Sequence, residues 1–254
     1  HTHAKGKGMS WSATKARPIK NKVTEGLFEY IKQSNPNRVF KCFFCLPSTK
    51  ATDIKEALRQ GVIDKHTKII AVEKSHYFLR MVKSQLTRLG FGPESRVIIN
   101  KDLCDVYPHE LCDACDSLGV DRIDLFYIDT CNCLIDCLQD WIQDVACHEK
   151  VGAVNSVVAT NVIGARATWD LLKYPDEDPY GMDKNINPWA KRIARCLEKR
   201  TGKLAGLTIG YKEYDGSPMV LSVCGGDRWV GCTGIESHPV WWTRNKRLQN
   251  LGYA

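Results

Sequence analysis

Apolar residues along this chain gather in short continuous runs, and stretches of helical period separate the runs. RVFKCFFCLP, residues 38–47, is apolar, rich in aromatics and bounded by Pro47, which predicts a buried strand. Residues 51–60 turn to a helical period that Gly61 closes, and KIIAVEK, residues 68–74, is a second buried run ending on an acid. Residues 77–89 predict a helix closed by Gly90, and 96–100 a third strand. RIDLFYIDT, residues 122–130, predicts a fourth strand, residues 134–147 a helix, and GAVNSVVAT, residues 152–160, a fifth strand. Ahead of them, residues 24–33 carry Leu27, Phe28 and Ile31 on one helical face, ended by Asn35-Pro36-Asn37.

Strands that are apolar almost throughout, and that alternate with helices, predict an α/β fold with a mostly parallel sheet covered by helices on both faces. Right-handed crossovers leave few ways to wind it. The pattern changes after residue 165. Residues 169–188 are loop-rich around Pro175, Pro179 and Pro188, and residues 189–200 form an amphipathic basic helix. Then residues 204–214 and 218–225 flank Asp215-Gly216, a hairpin signal that closes the sheet with an antiparallel pair. The expected division is a terminal segment 1–23, a domain over 24–225, and a Trp- and Arg-rich tail over 226–254 packed on the domain or extending it. Within the first segment, residues 1–8 precede Met9 and read as a cloning scar, and residues 9–22 as a flexible basic arm.

Composition narrows the class. Hydrophobic residues make up 43% and charged residues 26%, enough to bury a sizeable core. No apolar stretch reaches the length of a membrane-spanning helix, and no signal segment is visible. Twelve cysteines, several inside apolar runs, read as reduced thiols. The expected compartment is therefore the cytoplasm, of a host cell if the protein is viral. A net charge of +7 permits a DNA or RNA partner without requiring one.

An open parallel sheet binds ligands at the carboxyl ends of its strands, so candidate chemistry is sought there. The first strand ends on Pro47-Ser48-Thr49, the second on Glu73, the third is followed by Asp102-Leu103, and the fourth ends at Asp129-Thr130-Cys131-Asn132. Glu73 is placed to accept two ribose hydroxyls, Asp102 an adenine amino hydrogen with Leu103 offering its backbone N–H, and Asp129 an amino-acid ammonium. Each acid taken alone also fits a helix cap or a solvated loop.

With those acids one strand–helix unit apart, residues 24–225 resemble the class I S-adenosylmethionine-dependent methyltransferases. The resemblance includes the final hairpin, which most Rossmann dehydrogenases lack. It implies a Rossmann-like methyltransferase sheet, S-adenosyl-L-methionine as cofactor, and cofactor contacts from Pro47, Ser48, Thr49, Glu73, Asp102, Leu103 and Asp129. It gives Asp129 and Asn132 the catalytic positions facing the methyl group and acceptor. FYIDTCN, residues 126–132, is similar to the family's fourth-strand motif but is not its Asp-Pro-Pro-Tyr form. The chain departs from the family at LPSTKAT, residues 46–52, where the usual Gly-x-Gly turn has no glycine. Either Ser48 and Thr49 supply hydrogen bonds in a wider loop, or the pocket no longer takes the cofactor. The expected function is methyl transfer to DNA or RNA; the alternative is an inactive module that binds nucleic acid or a protein partner. The degree of divergence is similar to that of virus- or mobile-element-encoded proteins.

Two further clusters complete the inventory. Cys112 and Cys115 form a single CxxC without a second well-spaced pair, and no metal is expected. Trp241, Trp242, Arg244, Lys246 and Arg247 mix aromatics with cations, a combination that stacks on bases and neutralises phosphates, or packs over a sheet edge.

Overall fold

Helix α1 (Pro18–Ser34) leads into β1 (Cys42–Cys45), α2 (Thr52–Arg59), β2 (Lys68–Val72), α3 (His76–Arg88) and β3 (Arg96–Ile99). There follow α4 (Pro108–Leu118), β4 (Ile123–Cys133), α5 (Asp136–Trp141) with a π-helical turn at Ile142–Ala146, and β5 (Gly152–Ile163). The chain continues with α6 (Pro188–Thr201), β6 (Ala205–Lys212), β7 (Pro218–Gly225) and β8 (Val240–Thr243). The computed structural model describes residues 18–133, 136–163, 188–212, 218–225 and 240–243.

The strands make one sheet in the order β3-β2-β1-β4-β5-β7-β6-β8. β1 pairs in parallel with β2 and β4, β2 with β3, and β4 with β5. Among the described strands only β7 runs antiparallel, between β5 and β6, so the expected antiparallel pair is present, but it does not end the sheet. β8 then adds in parallel outside β6. The chain reverses its direction of travel across the sheet between β1 and β4, which makes their carboxyl ends the topological switch point.

Alternation along each strand sends side chains to two separate cores. On one face Phe43, Cys45, Ile69, Leu125, Tyr127 and Ile209 pack under α1, α2 and α3. On the other Phe44, Ile70, Phe126, Ile128 and Val158 pack under α4, α5 and α6. All four residues of β1 are buried because helices cover both of its faces.

Local signals account for most helix ends. Ser75 caps α3 by accepting the Phe78 N–H, and Pro108 opens α4 while Glu110 accepts the N–H of Tyr107. Gly119 ends α4 with φ 68°, a left-handed conformation that glycine adopts at no steric cost. The first helix differs from expectation: it begins at Pro18 rather than near residue 24. Proline at the first helical position lacks only an N–H that has no intrahelical partner there, so the basic stretch from residue 18 is helix.

Phe44 anchors the second core, with its ring centroid 5.6 Å from Phe126 and 5.3 Å from Trp141. Trp141 is held in turn by its indole N–H, which donates to the Val106 carbonyl at 2.9 Å. Replacing Phe44 by Ala deletes a fully buried ring at the centre of the sheet and is expected to cost about 3–5 kcal/mol. Urea unfolding would measure it, and a loss under about 1 kcal/mol would contradict this packing.

Candidate functional site

Strand register places one row of residues across the carboxyl edge. Cys45 pairs with Ala71 and with Tyr127, and Pro47, Glu73 and Asp129 each follow two residues further on toward the carboxyl edge. Asp129 is itself paired with Asn161 of β5. At the far side Asn100, just beyond β3, donates its amide to the Glu73 carbonyl at 2.6 Å. Three of the residues singled out in the sequence are thus brought to one edge at the switch point.

Their immediate surroundings differ. Glu73 is half-buried; its Oε1 accepts the Ser75 N–H at 2.7 Å, and its Oε2 has no partner among the described residues. Asp102 is half-exposed and has a protein partner on each oxygen: the Cys104 N–H at 3.3 Å and Lys74 Nζ at 3.4 Å. It caps the short 3-10 turn at Leu103–Asp105, and Leu103 turns its side chain into the second core. In the turn after β1, Pro47 and Thr49 are buried and Ser48 is exposed. Asn132 lies in the backbone of β4, and its side chain is outside the described residues, as are those of Trp241 and Trp242 in β8. Arg244, Lys246 and Arg247 fall outside the described residues altogether.

The glycine-free turn is closed by Ala51. Its N–H donates to the Ser48 carbonyl at 2.9 Å, and its φ of 48° and ψ of 42° are left-handed. Ala51 is the only non-glycine residue with positive φ among the described residues. The turn therefore has the backbone shape that glycine usually supplies, at a strain of about 1–2 kcal/mol for a side chain with Cβ. No side chain caps α2, which starts directly behind this turn.

Asp129 is held from two sides. Lys20, near the start of α1, reaches its Oδ2 at 2.7 Å, and the Asn161 amide donates to its Oδ1 at 3.0 Å. The same amide nitrogen donates to the Tyr211 hydroxyl at 2.7 Å. Tyr127 lies on the same face of β4, two residues back, with the Thr24 hydroxyl beside it. Burial, and then the negative charge of Asp129, raise the Tyr127 phenol well above its ordinary value.

Asp53, in the first turn of α2, is a site residue that the sequence reading did not single out. It is 7% exposed, and no side chain hydrogen-bonds either carboxylate oxygen; only the first-turn N–H groups of Asp53 and Ile54 lie beside it, short of full hydrogen-bond geometry. Burial, and then the charge of Asp129, push its carboxyl up to about 7, against the opposing pull of the first-turn amides and Lys20. Lys20 was missed as well, being read as part of a flexible arm. Its signal was available: Lys20, Thr24, Leu27 and Ile31 continue one helical stripe back to Pro18. Asp53 had no such signal, since Thr52-Asp53 reads as an ordinary helix start.

The cysteines settle into other roles. Cys115 and Cys42 are buried together in the second core, and Cys112 Sγ lies 3.6 Å from the Lys150 carbonyl. Among the described residues no group of three or more His, Cys, Asp or Glu is arranged to hold a metal. Nor is any helix there long and apolar enough to cross a membrane.

No protein-family model matches the sequence, and no curated protein matches it. Solved structures do resemble it. The methyltransferase subunit of a type I restriction-modification system from Streptococcus thermophilus superposes with a TM-score of 0.51 at 9% identity, over 85% of this chain and 45% of that one. An O-methyltransferase from Streptomyces achromogenes, involved in tomaymycin synthesis and solved with S-adenosylmethionine, gives 0.49 at 11% identity over 84% and 82% of the two chains. The fibrillarin pre-rRNA processing protein of Methanococcus jannaschii gives 0.46 at 15% identity over 88% and 87%. The first likeness establishes a Rossmann-like methyltransferase fold; at such identity it says nothing about chemistry.

Two outcomes follow from this geometry. Ala51→Gly relaxes the turn but loses a buried methyl, so its melting temperature is expected to stay within a few degrees of the parent. Ala51→Val forces a β-branched residue into the left-handed region and is expected to lose about 2 kcal/mol or more. Equal losses for the two variants would contradict the left-handed turn.

The second outcome is a pH dependence. Unfolded, Asp53 titrates near the ordinary carboxyl value of about 3.9; folded, at about 7. Between those values only the folded state keeps the proton. The stability this group contributes is therefore complete below about pH 4 and is lost as pH rises through 7. Asp53→Asn cannot ionise and is expected to remove this fall, which is on the order of a few kcal/mol. Denaturant titrations from pH 4.5 to 7.5 on both proteins would test it, and parallel curves would contradict it.

Proposed function

We propose that this chain is an S-adenosylmethionine-dependent methyltransferase whose cofactor lies across the carboxyl ends of β1, β2 and β4. The observation that carries this reading is Glu73: a half-buried carboxylate at the end of β2 with one oxygen uncommitted, at the same carboxyl edge as the switch-point turn. A carboxylate so placed suits the hydroxyls of a ribose. The turn at Ala51 supports the same reading, because it keeps the glycine-like backbone shape although the glycine is gone.

In this assignment Glu73 binds the ribose, and Asp102 with the Leu103 backbone lies toward the adenine. The exposed Ser48, between buried Pro47 and Thr49, faces the cofactor from the turn. When bound, the sulfonium supplies an electrophilic methyl group. The protein's own work is to hold the acceptor in line and keep its charges in place. Asp129, fixed by Lys20 and Asn161, is the positioned carboxylate beside the acceptor, with Asn132 three residues further along the same strand.

We assign DNA or RNA as the acceptor. The net charge of +7 supports it, and so does the placement of Trp241. Its backbone shares a register row with Ile209, Leu221, Asn161 and Asp129. It therefore stands four strands from Asp129, roughly 19 Å along the same edge at the usual strand spacing. A polynucleotide is long enough to span that interval.

S-adenosylhomocysteine is expected to bind, as read by calorimetry, and Glu73→Ala to weaken it about 10–100-fold with little change in melting temperature. No heat and no thermal shift with either S-adenosylmethionine or S-adenosylhomocysteine would overturn the reading. Salt-dependent binding of DNA or RNA would then point to the inactive module instead.

A further inference from the structure

Two carboxylates, Asp53 buried and Asp129 half-buried, meet Lys20 at the switch point. Lys20 closes on Asp129 at 2.7 Å, and Asn161 takes the other oxygen of the same group. Asp53 is left over, 7% exposed, with no side-chain partner on either oxygen and only the first-turn amides of Asp53 and Ile54 beside it. It faces the charged and titratable groups at the carboxyl ends of the two central strands: Cys45 of β1, Tyr127 and Asp129 of β4, and Lys20 of α1. A third orphaned acceptor lies in the same neighbourhood, the Oδ1 of Asn161, which is 1% exposed. An acid at the opposite end of β4 shows what a purely structural carboxylate looks like here. Asp124 accepts the backbone N–H groups of Lys41 and Cys42 at 3.0 and 2.9 Å and lies 3.6 Å from Arg38.

An unpaired buried carboxylate is costly, and its cost is relieved by a cation that brings hydrogen-bond donors. Orphaned acceptors alone select for donors, and the local surplus of negative charge selects for a positive one. A primary ammonium satisfies both requirements, with three N–H donors and one compact charge. We infer that Asp53 is the seat of the α-ammonium of the amino-acid end of S-adenosylmethionine. The inference rests on the methyltransferase reading. It moves the ammonium from Asp129, where the strand-end pattern put it, to the carboxylate that the fold leaves without a side-chain partner.

A linked proton follows. Without ligand, Asp53 is favoured in its protonated form in mildly acid solution, whereas a bound ammonium favours the ionised form. Binding of an amino-acid-bearing ligand therefore expels a proton from Asp53 to the buffer. At pH 6 close to one proton is expected per ligand, and at pH 8.5 close to none. Affinity is expected to rise with pH up to neutrality and then level off.

The test uses the full chain and two probes: S-adenosylhomocysteine, and its deaminated analogue, which keeps the carboxylate and lacks the ammonium. Calorimetry at pH 6 in two buffers of different ionisation heat reads proton release along with affinity. For the parent protein, the ammonium is expected to strengthen binding tenfold or more and to release the proton. In Asp53→Asn both differences are expected to vanish, with the fold checked by circular dichroism. If the parent binds both probes equally and releases no proton, the Asp53 assignment fails while the cofactor reading stands. If neither probe binds, the cofactor reading fails and takes this inference with it. The proton count on the parent protein decides the matter even if the variant does not fold.

Discussion

Parallel pairing of β1 with both β2 and β4 is the constraint on which the rest of this structure depends. Parallel strands send all their carboxyl ends to one edge, and the crossovers between them must cover both faces with helix. The four buried residues of β1 are one consequence, and the two separate cores are another. The row of candidate site residues is the third. Pro47, Glu73 and Asp129 are 26 to 82 residues apart in the chain, yet each lies two residues beyond one member of a registered set, Cys45, Ala71 and Tyr127.

Around that row the protein has gathered more acid than it neutralises. Lys20 and Asn161 together satisfy Asp129, while Asp53 remains buried beside them without a side-chain partner. Full satisfaction at the amino end of β4, where Asp124 takes two backbone amides, shows that the fold can pair a buried acid when pairing is all that is required. Strain follows the same distribution. The one left-handed non-glycine residue among those described, Ala51, sits two positions before Asp53. Backbone strain and unmet charge concentrated in one turn are what a ligand site retains at the expense of stability.

Helix α1 ties the site to the first core. Phe28 packs edge-on against Tyr127 at 5.8 Å and against Phe43 at 6.1 Å, and this contact sets the height at which Lys20, two turns earlier, meets the end of β4. The ion pair is therefore carried by packing deeper in the domain, since a lysine near a helix start has little to hold it in place by itself. The domain core and the charge of the site are mechanically one unit on this face of the sheet.

The alternation of apolar runs with helical period was enough to determine a mostly parallel, doubly covered sheet, and Asp215-Gly216 an antiparallel hairpin in it, because period and turn chemistry are local properties; that the sheet goes on past the hairpin to a parallel β8 was not legible. The strand ends at Glu73, Asp102 and Asp129 were legible for the same reason: a run that stops on an acid marks its own carboxyl end. What the sequence could not decide was which acids keep a free oxygen. Asp102 found Lys74 and the Cys104 amide, Asp129 found Lys20 from a helix more than a hundred residues away, and Asp53 found no side-chain partner. The missing glycine in residues 46–52 was legible, but not that Ala51 would take up the left-handed turn without it. Those outcomes belong to the tertiary structure because a charge is satisfied by whatever packing brings within about 3 Å of it, and neighbours at that distance come from anywhere in the chain.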